Sequence, residues 1–520
     1  MVIAMAFVSN RQIESAAVIP VNGSIANARS STLSLRQHPC SVLVRTAERC
    51  CTTAVSLIIV PLALPVFKIL TTRRAQRVLL AIAVLNIPMR IQKHLFLRED
   101  AANLGSLGGL QISLTNIALT GLYVAWLVWV AIRSRSFVPH RRNLSKVILP
   151  AALLLLFYAA SLLVAGDVSL GIFQVCGVLV LFMLYLYVAE TATSHEDVLF
   201  IVRILLISLI FQCFLMLAQA GGLVGDIQFY GIKARAEFAG DSRISGTIGA
   251  PNHAAAYLAM MMVIALGVML ANVCRTDKCL AGAGFAMAAM SLIFTLSRGG
   301  WISFLVGLST VMIFGRRRVP WKTVMAIVVV LVLFAIAFRG VIAERLYSDD
   351  NGSAAARMPL NELAGAMIAD HPLLGVGANN FAVAMEPYRT RSFSGDFFYT
   401  VHNTYLLVWT ETGIGGLIAF VWFLIAIVHQ GLKSWQLRDP LFAPLALGCV
   451  AAVMGFMVQM NFDPFGSGSA VELMWLFGGL VSAMNCISVS PLAFPQAGVM
   501  PNGGTGPTET RRPQTMRNKV

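Results

Sequence analysis

Long apolar runs separated by short polar connections make up most of this chain of 520 residues. Each run has about twenty residues, the length an α-helix needs to cross a bilayer while bonding its backbone amides internally. The pattern therefore predicts an all-α, polytopic integral membrane protein with 12 or 13 transmembrane helices. The predicted spans are 54–70, 78–92, 110–132, 147–165, 168–189, 198–220, 251–273, 279–297, 300–314, 320–340, 404–430, 440–460 and 470–488.

Lysine and arginine in the short connections predict the orientation of these spans. Short basic loops favour the cytoplasmic side of a membrane. Four connections are of this kind, and they are 133–146, 274–278, 315–322 and 433–439. The external side then holds the connections 221–250, 297–300, 341–402 and 461–469. The orientation of the first two apolar segments stays open, because the charged stretches "TTRRAQR" and "MRIQKHLFLRED" flank the second of them on both sides.

The composition supports a membrane protein and argues against a nucleic-acid partner. Hydrophobic residues make up 57% of the chain and charged residues 12%, with a mean hydropathy of +0.75, which a soluble domain does not tolerate on its surface. Lysine and arginine outnumber aspartate and glutamate by 39 to 24, but they lie between spans and form no single patch. We expect a basic, poorly ordered segment at 1–50, the transmembrane domain at 51–488 and a disordered tail at 489–520.

The long external segment, 341–402, is predicted to carry an amphipathic helix. Its apolar positions recur at helical spacing, and they are Leu360, Leu363, Ala364, Met367 and Ile368. We expect this helix to lie on the membrane and to end near Asp370, because Pro372 disfavours helical geometry in the residue before it. Gly375 and Gly377 predict a turn after the helix.

A histidine stands at the external end of a later span, in the stretch "FFYTVHNTYLLVWTETGIGG". Gly413 and Gly416 follow His402 by eleven and fourteen residues, which places all three on one helix face. Small residues on such a face allow another helix to approach closely. Asn403 can cap the helix. From spacing alone, His402 is either an interfacial cap or a group with a chemical role.

Arginines on the predicted external side suggest an anionic ligand. Arg243, Arg298 and Arg357 lie in external connections, together with Arg235 and Arg345. A guanidinium offers forked donors that suit phosphate oxygens, so several around one cavity favour a pyrophosphate at the membrane surface. Asn252 follows Pro251 at a predicted helix start, where exposed amides also favour anions.

No disulfide, metal or cofactor is predicted. Of the nine cysteines, four fall inside apolar spans, and Cys274 and Cys279 have no second Cys or His pair nearby. The external carboxylates are scattered, which argues against the paired acids of a glycosidase.

Taken together, these residues resemble the O-antigen ligase and polysaccharide polymerase superfamily of bacterial envelope glycosyltransferases. Its pattern is a His, then Asn, Ser or Gln, nine residues and Gly-x-x-Gly, which here reads His402, Asn403, 404–412, Gly413 and Gly416. Three other stretches are similar to family signatures in the same order, "SRISGTIGAPNHAAAYLAM", "LSRGGWISFLVG" and "DHPLLGVGANNF". The resemblance covers residues 240–430.

The resemblance implies a GT-C-like, metal-independent, inverting glycosyltransferase of the bacterial inner membrane, with its active site on the external face. The donor would be a glycan on undecaprenyl pyrophosphate and the acceptor a sugar or a lipid, in O-antigen or exopolysaccharide biosynthesis. Membrane lipids and other polysaccharide assembly proteins would be further partners. His402 would be the general base, and Arg243 and Arg357 would hold the pyrophosphate, with Arg298 as a third candidate. The supporting residues would be Asn403, Gly413, Gly416 and Asn252.

Two alternatives stay open at this point. Polymerase and ligase are not distinguished, because the acceptor of either would meet the same base. A secondary transporter of an anion, with arginines binding the substrate at mid-membrane and His402 relaying protons, is the alternative from another class. It would bury its polar residues near the centre of broken helices, whereas this chain gathers them near external helix ends.

Overall fold

The computed structural model of the protein describes residues 71–103, 105–133, 146–223, 243–316, 336–347, 357–389, 399–437 and 439–489, with two short strands between 227 and 234 and a few single positions elsewhere. All of these residues belong to one unit, Phe67–Val520. The predictions for 1–50, for nearly all of the span 54–70, for about half of the span 320–340, for Arg235 and for the tail beyond 489 lie outside the described residues.

The described part of the chain is helical, as predicted. Its α-helices are α1 (Arg73–Met89), α2 (Glu99–Asn103), α3 (Leu114–Arg133), α4 (Ile148–Ala160), α5 (Val168–Thr191), α6 (His195–Ala220), α7 (Pro251–Leu270), α8 (Arg275–Phe294), α9 (Arg298–Gly315), α10 (Arg339–Tyr347), α11 (Arg357–Asp370), α12 (Phe381–Ala384), α13 (Thr404–Gln436), α14 (Phe442–Gln459) and α15 (Ser469–Val489). Two antiparallel hairpins add β1 (Gln92–Leu95) with β2 (Leu110–Ser113) and β3 (Ile227–Phe229) with β4 (Ile232–Ala234).

Eight of the described helices are long and apolar enough to cross a membrane, and they are α5 to α9 and α13 to α15. Two shorter apolar segments, Leu114–Val128 and Ile148–Leu163, accompany them. Large apolar side chains such as Phe214, Leu305 and Ile418 are more than half exposed on this bundle. Such an apolar exterior belongs in lipid and not in water, so the protein is a polytopic membrane protein.

Helix α7 lies at the centre of the bundle, packed by α8, α9 and α14. All of its residues from Ala254 to Val268 are buried. Glycine lets its neighbour approach closely, since a Cβ on Gly448 would lie 3.0 Å from the backbone oxygen of Val263. This central helix places its first residues, Pro251 and Asn252, at one end of the bundle.

The helices alternate in direction, so the bundle has two ends. Helices α7, α9, α13 and α15 begin at the end that carries Asp463, which we call the site end, and α8 and α14 finish there. The basic connections at 274–278 and 433–439 lie at the other end, the opposite end, where the backbone N–H of Asn272 donates to the Pro440 oxygen at 3.0 Å. Helix α1 joins the two ends, because Arg77 bonds Asp197 at the opposite end and Arg90 bonds the Ile248 oxygen at the site end.

Helix α11 is the amphipathic helix expected in the long segment, and its five buried residues are the predicted apolar stripe. It ends at Asp370 as predicted, and Gly375 and Gly377 have positive φ angles in the turn that follows. The contact expected between its apolar stripe and the membrane is replaced by contacts with protein. Its stripe packs against protein side chains, among them Val401 and Leu407, in a small apolar cluster separate from the main core. Packing against protein buries the stripe as completely as lipid would.

Gly413 interrupts helix α13 with a φ of 72° and a ψ of −177°. The close neighbour at Gly413 is therefore a loop, whereas at Gly416 it is a second helix, α4, through Phe157. The N–H of Val376 donates to the Thr410 oxygen at 2.8 Å, and the N–H of Ile414 donates to the Pro372 oxygen at 2.9 Å. The broken helix thus gives its free backbone groups to the loop after α11. The break fixes that loop, and with it α11, against α13.

Candidate active site

Four arginines surround one cavity of about 250 Å³ at the site end of the bundle. They come from four separate parts of the chain, Arg243, Arg298, Arg345 and Arg357, and the described lining holds a single carboxylate, Asp463. We call this space the arginine cavity. Guanidinium groups that converge in this way raise the positive potential of a cleft and attract anions.

Arg243 is held by helix termini on both sides. Its Nε donates to the backbone oxygen of Thr295 at 2.9 Å, just after α8, and its Nη2 donates to Oδ1 of Asn252 at 2.8 Å, in the first turn of α7. Asn252 in turn donates from Nδ2 to Oδ1 of Asp463 at 3.0 Å. The backbone oxygen of Asn252 accepts from Gln459 at 3.0 Å. This chain of bonds fixes one wall of the cavity.

Arg298 and Arg345 form a neighbouring wall. Arg298 is the first residue of α9, after Ser297, whose hydroxyl accepts from the Gly300 N–H at 3.3 Å as an N-cap. The Nε of Arg345 donates to the backbone oxygen of Leu296 at 3.0 Å. One tight turn between α8 and α9 therefore positions both guanidinium groups.

Arg357 and His402 are brought together by the small apolar cluster beneath them. Arg357 begins α11, and Leu360, in its first turn, packs in the same cluster as Val401, the residue before His402. The Nε of Arg357 and the Nδ1 of His402 are both buried without a hydrogen-bond partner. Buried polar atoms of this kind are uncommon and are typical of sites that receive a ligand.

Burial of the His402 ring, followed by the positive charge of Arg357, lowers the pKa of His402 to about 4. The imidazole is therefore neutral at pH 7. A neutral imidazole has a lone pair that can accept a proton.

The loop before α15 ties His402 to the arginine cavity. The hydroxyl of Thr404 donates to the Asp463 backbone oxygen at 2.8 Å and accepts from the Phe465 N–H at 2.9 Å. The Thr404 N–H donates to the Met460 oxygen at 2.8 Å. Burial raises the pKa of Asp463 to about 6, against the opposing effects of Asn252, Arg357 and Arg243. The Asp463 carboxyl group thus interacts electrostatically with both Arg243 and Arg357.

The structure brings Arg243, Arg298, Arg357 and Asn252 to one cavity and places His402 beside Arg357. The other predicted residues lie away from it. Asn403 caps α13, accepting from the N–H groups of Tyr405 at 2.9 Å and Leu406 at 3.1 Å. Gly413 breaks that helix, and Gly416 packs against Thr412 and Phe157. These glycines build the scaffold and do not line the cavity.

Sequence reasoning missed Asp463 and Thr404. Asp463 is the single acidic residue in the external stretch "NFDPFGSGS", and a lone carboxylate between two spans was the available signal. Thr404 carried no such signal, because its role depends on a loop sixty residues away in sequence. Within the described residues, no group of three His, Cys, Asp or Glu side chains could hold a metal ion.

The structure is that of a polytopic helical membrane protein, with an arginine-lined cavity and a neighbouring histidine at one end of the bundle. Comparison with protein families shows that residues 283–421 match the O-antigen ligase family. Over that region the chain is thus similar to O-antigen ligase-like membrane proteins. A comparison of the chain with curated proteins gives no match.

Proposed function

We propose that this protein transfers a glycan from undecaprenyl pyrophosphate to a hydroxyl group of a sugar or lipid acceptor, at the external face of the bacterial inner membrane. His402 removes the proton from the acceptor hydroxyl. Arg243, Arg298 and Arg357, with Arg345 beside them, bind the pyrophosphate. The observation that carries the proposal is Arg357, which lines the arginine cavity and acts electrostatically on His402.

The cavity suits a diphosphate because four guanidinium groups line it and outnumber the single carboxylate of its described lining. A guanidinium can give two parallel hydrogen bonds to phosphate oxygens. As the glycosidic bond breaks, negative charge builds on the departing pyrophosphate, and fixed positive groups stabilise it more than they stabilise the ground state. No metal is needed for this step of the proposal.

Donor binding and the basicity of His402 are coupled in this arrangement. The charge of Arg357 is one of the two causes that lower the pKa of His402. A diphosphate against Arg357 offsets that charge, so the pKa of His402 rises toward its ordinary value. The base becomes stronger when the donor is in place, and a base works best when its pKa lies near the working pH.

The placement of the polar residues supports a transferase over the alternative transporter. Arg298 and Asn252 lie in the first turns of α9 and α7, and His402 precedes α13. All three are at helix ends, whereas a transporter site lies near the bilayer midplane.

The test is transfer in reconstituted membranes with a glycan on undecaprenyl pyrophosphate as donor. We expect His402→Ala to lower the rate by about 10²- to 10⁴-fold, the usual contribution of a general base. His195→Ala is the matched control, because His195 lies at the opposite end of the bundle against Asp439. Transfer by His402→Ala at the rate of His195→Ala would show that His402 is not the base.

A further inference from the structure

A second cavity, of about 200 Å³, lies at the site end next to the arginine cavity. Hydroxyl and amide side chains line it, so we call it the hydroxyl cavity, and its described lining contains no lysine or arginine. The polar groups that matter here are Ser106, Gln174, Tyr399, Thr400, Glu411 and Ser467. The two cavities therefore differ in chemistry, because four arginines line the first, whereas the second has hydroxyl and amide groups with one carboxyl group, Glu411, and one imidazole, His253.

His402 lies at the boundary between the two cavities. On one side it is next to Arg357 of the arginine cavity. On the other side its ring centroid is 5.3 Å from that of Tyr399, which lines the hydroxyl cavity. The two linings also meet in the chain, since Asp463 belongs to the first and Pro464 to the second. A group in either cavity can thus come close to the imidazole.

Thr400 supplies an unsatisfied hydroxyl in this lining. Its side chain is only 3% exposed, and Oγ1 is buried without a hydrogen-bond partner. A buried hydroxyl left unpaired destabilises the protein, so such a group points to a ligand that satisfies it. The hydroxyls of a sugar ring donate and accept hydrogen bonds, as this lining requires.

The aromatic rings of Tyr158, Tyr399 and Phe465 add apolar surface to the same space. A sugar ring has both polar edges and C–H faces, which match such a mixed lining. The cavity is smaller than the roughly 300 to 1,000 Å³ of sites for larger ligands. Its size therefore fits a single sugar ring and not a chain of several.

Part of this wall comes from outside the family-matched residues 283–421. Ser106 lies in the connection between β1 and β2, which is attached through Leu107, whose N–H donates to Oδ1 of Asn379 at 2.7 Å. Gln174 on α5 donates to the Gly466 oxygen at 3.1 Å. The histidine lies within the matched range, whereas these walls are contributed by other parts of the chain. The walls can thus set which sugar is accepted.

We propose that the hydroxyl cavity binds the sugar ring of the acceptor, a neutral saccharide, whose hydroxyl group His402 deprotonates. This inference rests on the proposed function. The acceptor O–H bond breaks and its proton goes to the imidazole. The acceptor oxygen forms a bond to the anomeric carbon of the donor, the bond from that carbon to the diphosphate oxygen breaks, and its electron pair leaves with the diphosphate in the arginine cavity.

The first experiment measures sugar binding directly. Saturation-transfer NMR on the full chain in lipid nanodiscs uses five free sugars as probes, glucose, galactose, mannose, rhamnose and N-acetylglucosamine, with and without inorganic diphosphate. We expect at least one sugar to bind, and inorganic diphosphate, which would occupy the arginine cavity, not to displace it. Absence of binding by all five, or displacement by diphosphate, overturns the proposal.

Variants of Thr400 then locate the site. Thr400→Val should weaken sugar binding and raise the KM for acceptor about 2- to 10-fold, the equivalent of one neutral hydrogen bond, with the KM for donor unchanged. Thr400→Ser should restore binding because it keeps the hydroxyl. Thr310→Val is the matched control, since Thr310 is a buried threonine whose hydroxyl bonds the Val306 oxygen within α9. Equal effects of Thr400→Val and Thr310→Val would contradict the proposal.

The outcomes separate this inference from the proposed function. If the wild-type protein transfers glycan but no sugar binds in a Thr400-dependent way, the cavity assignment alone is wrong. If sugars bind in that way but no transfer occurs from a polyprenyl diphosphate donor, both the proposed function and the acceptor role are wrong. The hydroxyl cavity is then a saccharide-binding site without that role.

Discussion

Arginine, histidine and aspartate occur at both ends of the helix bundle, but their arrangements differ. At the opposite end, Arg203 makes two bonds to Asp277, at 2.7 and 2.8 Å. There, His195 bonds Asp439 at 2.8 Å and stacks on Phe442 at 4.1 Å between ring centroids. At the site end, four arginines line a cavity with a single carboxylate in its described lining.

The difference distinguishes arginines that each pair with a carboxylate from arginines that together line a cavity. A guanidinium with its own bidentate carboxylate has little remaining attraction for an anion, and it mainly fixes one helix against another. Several guanidinium groups around one carboxylate leave a net positive potential in the cleft. The same residue type thus has different consequences at the two ends, and matched substitutions can test this.

The largest expected difference is between Arg357→Lys and Arg203→Lys. Both keep the charge and lose the forked geometry. We expect Arg357→Lys to lower glycan transfer about 10- to 100-fold, because one charge-assisted hydrogen bond contributes about 1.5 to 3 kcal/mol. Arg203→Lys should transfer at the wild-type rate. Equal rates of glycan transfer by the two variants in reconstituted membranes would show that the arginines at the two ends of the bundle do not differ in function.

The next difference concerns two glycines. Gly413→Ala introduces a Cβ at a φ of 72°, where it meets the backbone of Leu373 and Leu374. We expect a loss of about 1 to 3 kcal/mol of stability from backbone strain, with detachment of the loop after α11. Gly282→Ala on α8 meets no atom within 4 Å and should be neutral or slightly stabilising. Thermal unfolding in detergent compares them, and an unchanged midpoint for Gly413→Ala would contradict the role of the break.

A smaller effect is expected for Asp463→Asn. The substitution removes the carboxylate charge from the arginine cavity but keeps an oxygen that can accept from Asn252. Since two charges about 4 Å apart in water interact by about 1 kcal/mol, inorganic diphosphate should bind about fivefold more tightly. Isothermal titration with diphosphate measures this. Asp277→Asn at the opposite end should leave the affinity unchanged, and weaker binding by Asp463→Asn would show that the carboxylate does not oppose the anion.

The smallest effect is a shift in the titration of His402. Burial and Arg357 lower the pKa of His402 to about 4, so the neutral ring is present at pH values above about 4 and is lost as the pH falls through that value. Arg357→Gln removes the second cause, and the pKa should rise, although burial keeps it below the ordinary value. Nitrogen-15 NMR of the histidine rings follows this titration separately from that of Asp463. Arg203→Gln should not change the pKa of His402. An equal pKa of His402 in both variants would rule out the electrostatic effect of Arg357 on the imidazole.

The helical architecture and the amphipathic helix were predictable from sequence because each depends on local periodicity. Apolar runs of bilayer length gave the spans, and the five apolar positions from Leu360 to Ile368 gave α11 with its end at Asp370. The pattern could show that this stripe is buried but not what buries it. Lipid and protein are equally apolar partners for such a surface, so the placement of α11 against Val401 and Leu407 required the fold.

The sequence by itself determined a helical membrane protein, its O-antigen ligase-like motif and the residue types suited to an anion. Only the tertiary structure decided which of those residues meet. Arg243 and Asp463 are far apart in the chain, and they share a cavity because α7 brings Asn252 between them. Convergence of this kind depends on long-range packing, which local periodicity does not encode, and the same reason explains why the hydroxyl cavity beside His402 could not be read from the chain.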